Sequence, residues 1–176
     1  MTAHQGARRL YLMRHAKSSW DDPSLGDHDR PLAGRGWRAA TLIADHMRAE
    51  AISPSLVLCS SALRTRQTLE RIAPALDAPE VSIEREIYGA SAAALLDRLR
   101  RVGDATGSAM LIGHQPAIRE LTLVLAGDGV DLARVRAKFP TAALATLLFV
   151  GEWSALSAGS AELVGYVKPK ELVAEL

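Results

Sequence analysis

The chain has 176 residues, enough for one domain with a sizeable core and too few for two full ones. A hydrophobic fraction of 48% excludes wholesale disorder, and a net charge of +1 argues against a bulk electrostatic binder of nucleic acid or of an acidic membrane surface. With Cys59 the single cysteine no intramolecular disulfide can form, and no apolar stretch reaches the ~18–20 residues that span a bilayer, so cytoplasm is the expected compartment.

Residues 1–7 are polar, lack a secretory apolar core and read as a flexible tail ahead of a single domain. Leu10-Tyr11-Leu12-Met13 is a short apolar run of the kind that forms a buried strand, and it leads into Arg14-His15-Ala16-Lys17. Ser18 to Arg30 is too polar to pack as an element and predicts a surface loop over that strand end. A helix follows over about 33–50, with Ala40, Ile43, Ala44 and Met47 on one face. A strand near 55–59 leads to a helix over about 62–76 that Ser60 or Ser61 can cap, contact with phosphate being the alternative for both serines. Residues 81–85 read as a short strand, and Ser91 as the N-cap of a helix closed by Gly103. The run Ala109–Ile112 reads as a third core strand, followed by a helix with Pro116 at its first position and Gly127 at its end. After a short helix near 131–138, strands over 142–150 and 161–167 with a short Gly- and Ser-rich connection suggest an antiparallel pair at one edge of the sheet. The alternation implies an α/β fold, a three-layer α/β/α sandwich around a mostly parallel sheet with that antiparallel edge.

Ligands of open α/β sheets bind outside the carboxyl ends of the strands. Three apolar runs deliver Arg14-His15, Ser60-Ser61-Ala62-Leu63-Arg64 and Gly113-His114 to what the alternation makes one sheet edge. Phosphoryl transfer needs fixed cations around three equatorial oxygens and a nucleophile in line. Arginine supplies the first, being always charged and able to grip two oxygens. A neutral imidazole supplies the second, and nearby arginines hold histidine neutral. His114 is the strand-end candidate to donate to the phosphoryl oxygens, and Arg64 lies in the first turn of its helix, where backbone amides also favour anions. Cys59 ends an apolar run with no histidine local to it and reads as a buried, inert thiol. Arg8 and Arg9 read as a solvated strand edge, and Arg66 as exposed.

Arg14-His15-Ala16, Asp29-Arg30-Pro31-Leu32-Ala33 with Gly36, Ser60 to Thr68, and Gly113-His114-Gln115-Pro116 together resemble the histidine phosphatase superfamily, also called phosphoglycerate mutase-like, in the order of its motifs. The short length and the Arg30-Pro31-Leu32 segment are most similar to its SixA-like branch of phosphohistidine phosphatases. The resemblance implies that His15 attacks phosphorus and is itself phosphorylated, that Arg14, Arg64 and His114 hold the oxygens, and that water then releases phosphate. It implies no metal and no cofactor; His4, His28 and His46 have no metal-like spacing and read as surface or loop residues. By position it offers Glu86 as the proton donor to the leaving group, with Glu84 second, against a solvated carboxylate as the plain alternative. Lys17, Ser18, Arg30 and Ser61 are the further substrate-binding candidates, although Arg30 suits bracing the loop through a carboxylate. Trp37 and Trp153 read as packing residues.

Two positions depart from the family pattern. Ala16 stands where glycine is usual, so its backbone is expected in an ordinary conformation. Ala33 stands where Ser or Thr is frequent and cannot cap its helix. The expected substrate is a phosphohistidine on another protein or a small phosphorylated metabolite, with no nucleic acid and no membrane as partner. Phosphoglycerate mutase-type transfer and non-catalytic phosphate or phosphoprotein binding are the alternatives.

Overall fold

The structure, a computed structural model, describes residues 6–173. One sheet contains β1 (Ala7–Arg14), β2 (Leu56–Ser60), β3 (Glu80–Glu84), β4 (Ser108–Gly113), β5 (Ala126–Asp128), β6 (Leu144–Val150) and β7 (Ala161–Val167), in the order β3-β2-β4-β1-β6-β7-β5. The helices are α1 (Gly34–Ala49), α2 (Leu63–Ile72), α3 (Ala92–Arg100), α4 (Ala117–Leu125), α5 (Leu132–Ala137) and α6 (Pro169–Val173). Among the described residues no helix is long and apolar enough to cross a membrane.

The two-residue period of a strand sends alternate side chains to opposite faces, and here both faces are covered. Leu10 and Leu12 join Leu95, Leu99, Ile118, Leu121 and Val135 from α3, α4 and α5. Tyr11 and Met13 join Ile43, Met47, Leu69 and Ile72 from α1 and α2 on the other side. The result is the expected three-layer α/β/α sandwich, and double coverage explains why β1, β2 and β4 read as unbroken apolar runs.

The last two strands form the expected antiparallel pair, and a further strand adds to it. β6 runs antiparallel to both β1 and β7, whereas β5 runs parallel to β7. A single reversed strand is therefore inserted in an otherwise parallel sheet, and the edge is β5. Where a helix-ending Gly127 was expected, the chain passes directly from α4 into β5. A Cβ on Gly127 would stand 2.6 Å from the Gly159 carbonyl oxygen, so two backbones meet there. β6 also begins later than the apolar pattern suggested, because Ala142 turns the chain with φ of 63°.

Ala7, read as the last residue of a flexible tail, is already in β1, and residues 1–5 lie outside the described residues. Ser91 caps α3 by accepting from the Ala94 amide at 3.1 Å. Ala33 precedes α1 without a side-chain cap, and Ala16 has no positive φ, both as expected. Pro116 occupies the cap position of α4 rather than its first turn. α6 was not anticipated.

Candidate active site

β2, β4 and β1 are neighbours and parallel, so their carboxyl ends open on one place. That adjacency brings together Arg14, His15, Arg64 and His114, which line a cavity of about 180 Å³ with Lys17, Ser18, Trp20, Arg30, Gln115 and Thr141. The His15 and His114 ring centroids are 5.3 Å apart. The backbone around His15 is fixed on three sides. Its amide donates to the Gly113 carbonyl at 3.0 Å, the Ala142 amide donates to the Arg14 and His15 carbonyls at 3.1 and 3.0 Å, and the Ala16 amide donates to Thr68 Oγ1 at 2.9 Å. Ala142 holds this shared bond from the left-handed region, a costly conformation for a residue with a Cβ that clusters at functional sites. From the other side α1 seats directly on the strand exit. A Cβ on Gly36 would meet the Lys17 carbonyl oxygen at 2.1 Å, so only glycine fits.

A hydrogen bond to a carbonyl sets the His15 tautomer, and His114 meets a hydroxyl. His15 Nδ1 lies 2.7 Å from the Ala16 carbonyl oxygen, which can only accept. Nδ1 therefore carries the proton, and Nε2 of the neutral ring keeps its lone pair. His114 Nε2 lies 2.7 Å from Ser60 Oγ, and that hydroxyl accepts from the Ala62 amide at 3.3 Å. With Ser60 donating its own proton to Nε2, the His114 proton sits on Nδ1. Both rings are held neutral. Burial first, then the neighbouring His114, Arg64 and Arg14, pushes His15 down to about 3, against the bond to Ala16. Burial and Arg64 push His114 down to about 4.

Arg14 Nε, Arg64 Nε and His114 Nδ1 are buried without a hydrogen-bond partner. Three unsatisfied donors at one strand edge are costly unless something accepts from them. All three residues line the same small cavity, so the arrangement suits a tetrahedral anion. The outer nitrogens of the two guanidiniums are tied in part to protein. Arg14 Nη1 donates to the Phe139 carbonyl at 3.0 Å, while Arg64 Nη1 and Nη2 donate to Asp27 O at 2.7 Å and Asp27 Oδ2 at 3.0 Å.

Asp27 is the organising residue that the sequence reading missed. Its carboxylate also accepts from Tyr88 Oη at 2.7 Å and from Arg30 Nη2 at 3.1 Å, and these bonds, led by Tyr88, hold it well below the usual carboxylate range. Arg30 thus braces the loop, as one reading of it held, donating in addition to Ser18 Oγ at 2.7 Å and lying 3.6 Å from the Trp20 ring centroid. It lines the cavity as well. The sequence gives little sign of Asp27 beyond its place in an Asp-rich loop.

Several expectations are corrected. Glu86 does not line the cavity: it is exposed and pairs with Arg101 at 2.9 Å and Arg98 at 3.4 Å. Glu84 is likewise committed, accepting from Arg98 at 2.6 and 2.8 Å. The cause is a strand-end arginine cluster on α3 that neutralises both. Neither serine caps α2, whose cap residue is Ala62. Ser60 is instead buried against His114. Ser61 does not line the cavity; its hydroxyl lies 2.8 Å from His28 Nε2. His28, read as a loop residue, sits in the loop but packs at 4.8 Å on the Tyr88 ring, and His46 is half-buried on α1. His4 lies outside the described residues. Cys59 is fully buried, its thiol pushed up to about 12 by burial. Arg66 is exposed, Trp153 is in the core, and Trp37 packs against the α1–α2 side of the sheet.

Comparison with known proteins agrees with this geometry. Residues 10–87 match the model of the histidine phosphatase superfamily (branch 1). An uncharacterised protein of Mycobacterium tuberculosis is 42% identical over 162 residues, 90% of this chain and 100% of that protein. The phosphohistidine phosphatase SixA of Escherichia coli is 31% identical over 122 residues, 66% of this chain and 73% of that protein. The solved structure of the protein named SixA from Agrobacterium tumefaciens superposes with a TM-score of 0.80 at 30% identity, covering 92% of this chain and 98% of its own. With the motifs, the sheet order and these relatives in agreement, the chain belongs to the histidine phosphatase superfamily, on its SixA-like branch.

Proposed function

We propose that the chain is a metal-independent phosphatase that takes the phosphoryl group of its substrate onto His15 Nε2 and then passes it to water. The observation that carries this reading is the pairing of a tautomer-fixed, neutral His15 with three buried donors that lack an acceptor. In the first step the Nε2 lone pair forms the P–N bond while the bond from phosphorus to the leaving atom breaks, the electron pair departing with that atom. Arg14, Arg64 and His114 Nδ1–H hold the equatorial oxygens, where charge concentrates. In the second step water attacks phosphorus, the P–N bond breaks, and inorganic phosphate leaves.

The cavity lining contains no carboxylate, and Glu84 and Glu86 are held by Arg98 and Arg101. Substrates whose leaving group needs no proton from the enzyme are therefore favoured. Phosphohistidine is the first of these, since imidazole with a reference pKa of about 6.5 departs readily after protonation by water. A pocket built from two guanidiniums and Lys17 repels a divalent cation, so a chelator is expected to leave the rate unchanged.

The test is hydrolysis of p-nitrophenyl phosphate and of a phosphohistidine peptide by wild type and His15→Ala, with and without chelator, together with acid quench of the wild type. Loss of both activities in the variant and an acid-labile, alkali-stable phosphoryl group on His15 are expected. Retention of activity by His15→Ala would overturn the mechanism, and a greater rate on a phosphoserine peptide than on the phosphohistidine peptide would overturn the substrate assignment.

A further inference from the structure

Beside the His15 cavity lies a second concavity of about 310 Å³, which shares Lys17 and Thr141 with the first. Its walls come from three places remote in sequence. The start of α1 contributes Arg35, the residue after α5 contributes Lys138, and the entry to α6 contributes Lys168 and Lys170. With Lys17 these make five cationic side chains, and no carboxylate lines the groove.

The chain as a whole is nearly balanced, with 21 Lys and Arg against 20 Asp and Glu, so five unmatched cations in one groove are a segregation of charge. Outside the groove seven arginines meet carboxylates, Arg30, Arg48, Arg64, Arg98, Arg100, Arg101 and Arg134, and nine make no ion pair among the described residues. Lys17, Arg35, Lys138 and Lys170 make none either, and what sets them apart is that they share one concavity. Lys168 has only the Glu171 carboxylate, 4.0 Å away and already held by Arg134. Like charges brought together without counter-charges are repulsive, and an anion bridging them removes that cost. The groove shares Lys17 and Thr141 with the catalytic cavity, so an anion held there can belong to the same molecule whose phosphoryl group reaches His15. The groove is concave, within the size range of small-molecule pockets, and walled by chain segments remote in sequence.

We propose that this groove is a second anion subsite, which adds to phosphohistidine a second substrate class, small molecules carrying at least two phosphates. One phosphate is transferred to His15, while the other lies among Lys17, Arg35, Lys138, Lys168 and Lys170. The inference rests on the phosphatase reading above and adds a substrate class to it. A phosphate held in the groove also serves the chemistry where two phosphates share an anhydride oxygen, because the departing group is then itself an anion stabilised by the lysines and needs no proton donor.

The test uses inorganic phosphate, pyrophosphate and tripolyphosphate as competitive inhibitors of p-nitrophenyl phosphate hydrolysis, with fructose 1,6-bisphosphate against fructose 6-phosphate as the arm for separated phosphates. At least one compound with two or more phosphates is expected to bind about tenfold or more tightly than its single-phosphate counterpart, with a steep salt dependence. Which arm shows the gain distinguishes an anhydride from two separate esters. Lys138→Ala/Lys170→Ala, two exposed residues outside the His15 cavity, should abolish that gain and leave p-nitrophenyl phosphate turnover and inorganic phosphate inhibition unchanged. Equal inhibition by mono- and polyphosphates in the wild type would overturn the subsite, and so would a gain that survives in the double variant. Loss confined to a phosphohistidine protein would assign the groove to protein docking instead. Failure of the phosphatase reading itself is seen separately, as p-nitrophenyl phosphate hydrolysis that persists in His15→Ala.

Discussion

Two arginine clusters stand at carboxyl ends of parallel strands in this sheet, and they differ in what is left over. Beyond β3, Arg98 grips Glu84 with two bonds and Arg101 takes Glu86, so both carboxylates have a counter-charge. Beyond β1 and β2, Arg14 and Arg64 present buried Nε atoms that meet nothing in the protein. Arg64 makes the contrast within a single side chain: its outer nitrogens are satisfied by Asp27 and its inner one is buried without a partner. Matched charges brace; unmatched buried donors wait for a ligand. The difference also explains why a carboxylate in a promising sequence position is absent from the pocket, since the neighbouring cluster has claimed it.

The sharpest way to break this contrast is to remove the nucleophile from the unmatched cluster. His15→Ala should lower hydrolysis of p-nitrophenyl phosphate on the order of 10³-fold or more, with unchanged far-UV circular dichroism. Arg64→Lys tests whether the fork geometry matters rather than the charge. A lysine cannot hold Asp27 with two bonds while also offering an inner donor, so kcat should fall about 10²-fold, as when one oxyanion donor is lost.

A packing substitution between the clusters and the strand exit comes next. Gly36→Ala places a methyl group 2.1 Å from the Lys17 carbonyl oxygen. Because that neighbour is backbone, α1 or the His15 segment must shift, and urea denaturation should show a loss of about 1–3 kcal/mol together with reduced activity.

The fourth prediction concerns pH. His15 and His114 are pushed down to about 3 and about 4, below the reference value of 6.5. Between those values the unfolded chain binds protons that the folded chain refuses. Stability is therefore fully present above about pH 6.5 and falls as pH is lowered towards 4. His114→Gln should flatten that decline in urea midpoints measured across the window. The smallest effect belongs to the matched cluster. Glu86→Gln breaks exposed pairs worth about 0–1 kcal/mol, and p-nitrophenyl phosphate turnover should stay within about twofold of wild type.

The places where sequence reading failed share one feature. Tyr88 meets Asp27 across 61 positions and Ser60 meets His114 across 54, so no local pattern carries either bond. Glu86 occupied the expected stretch of chain, yet its direction was settled by Arg98 and Arg101 on α3. The reversed β6 could be guessed to pair with β7, but its insertion beside β1 depends on which sheet edge was free. The basic groove draws on α1, the segment after α5 and α6, none of which looks unusual by itself.

By itself the sequence determined the elements and the strand ends that matter. Buried parallel strands must be continuous apolar runs, and the polar residues that follow them must emerge at the sheet edge where ligands bind. Arg14, His15, Arg64 and His114 were legible for that reason. Tertiary structure alone decided which of their nitrogens are spoken for, which carboxylates are out of reach and which lysines share a wall. These are matters of contact between distant segments, set by packing and hydrogen-bond geometry rather than by periodicity along the chain.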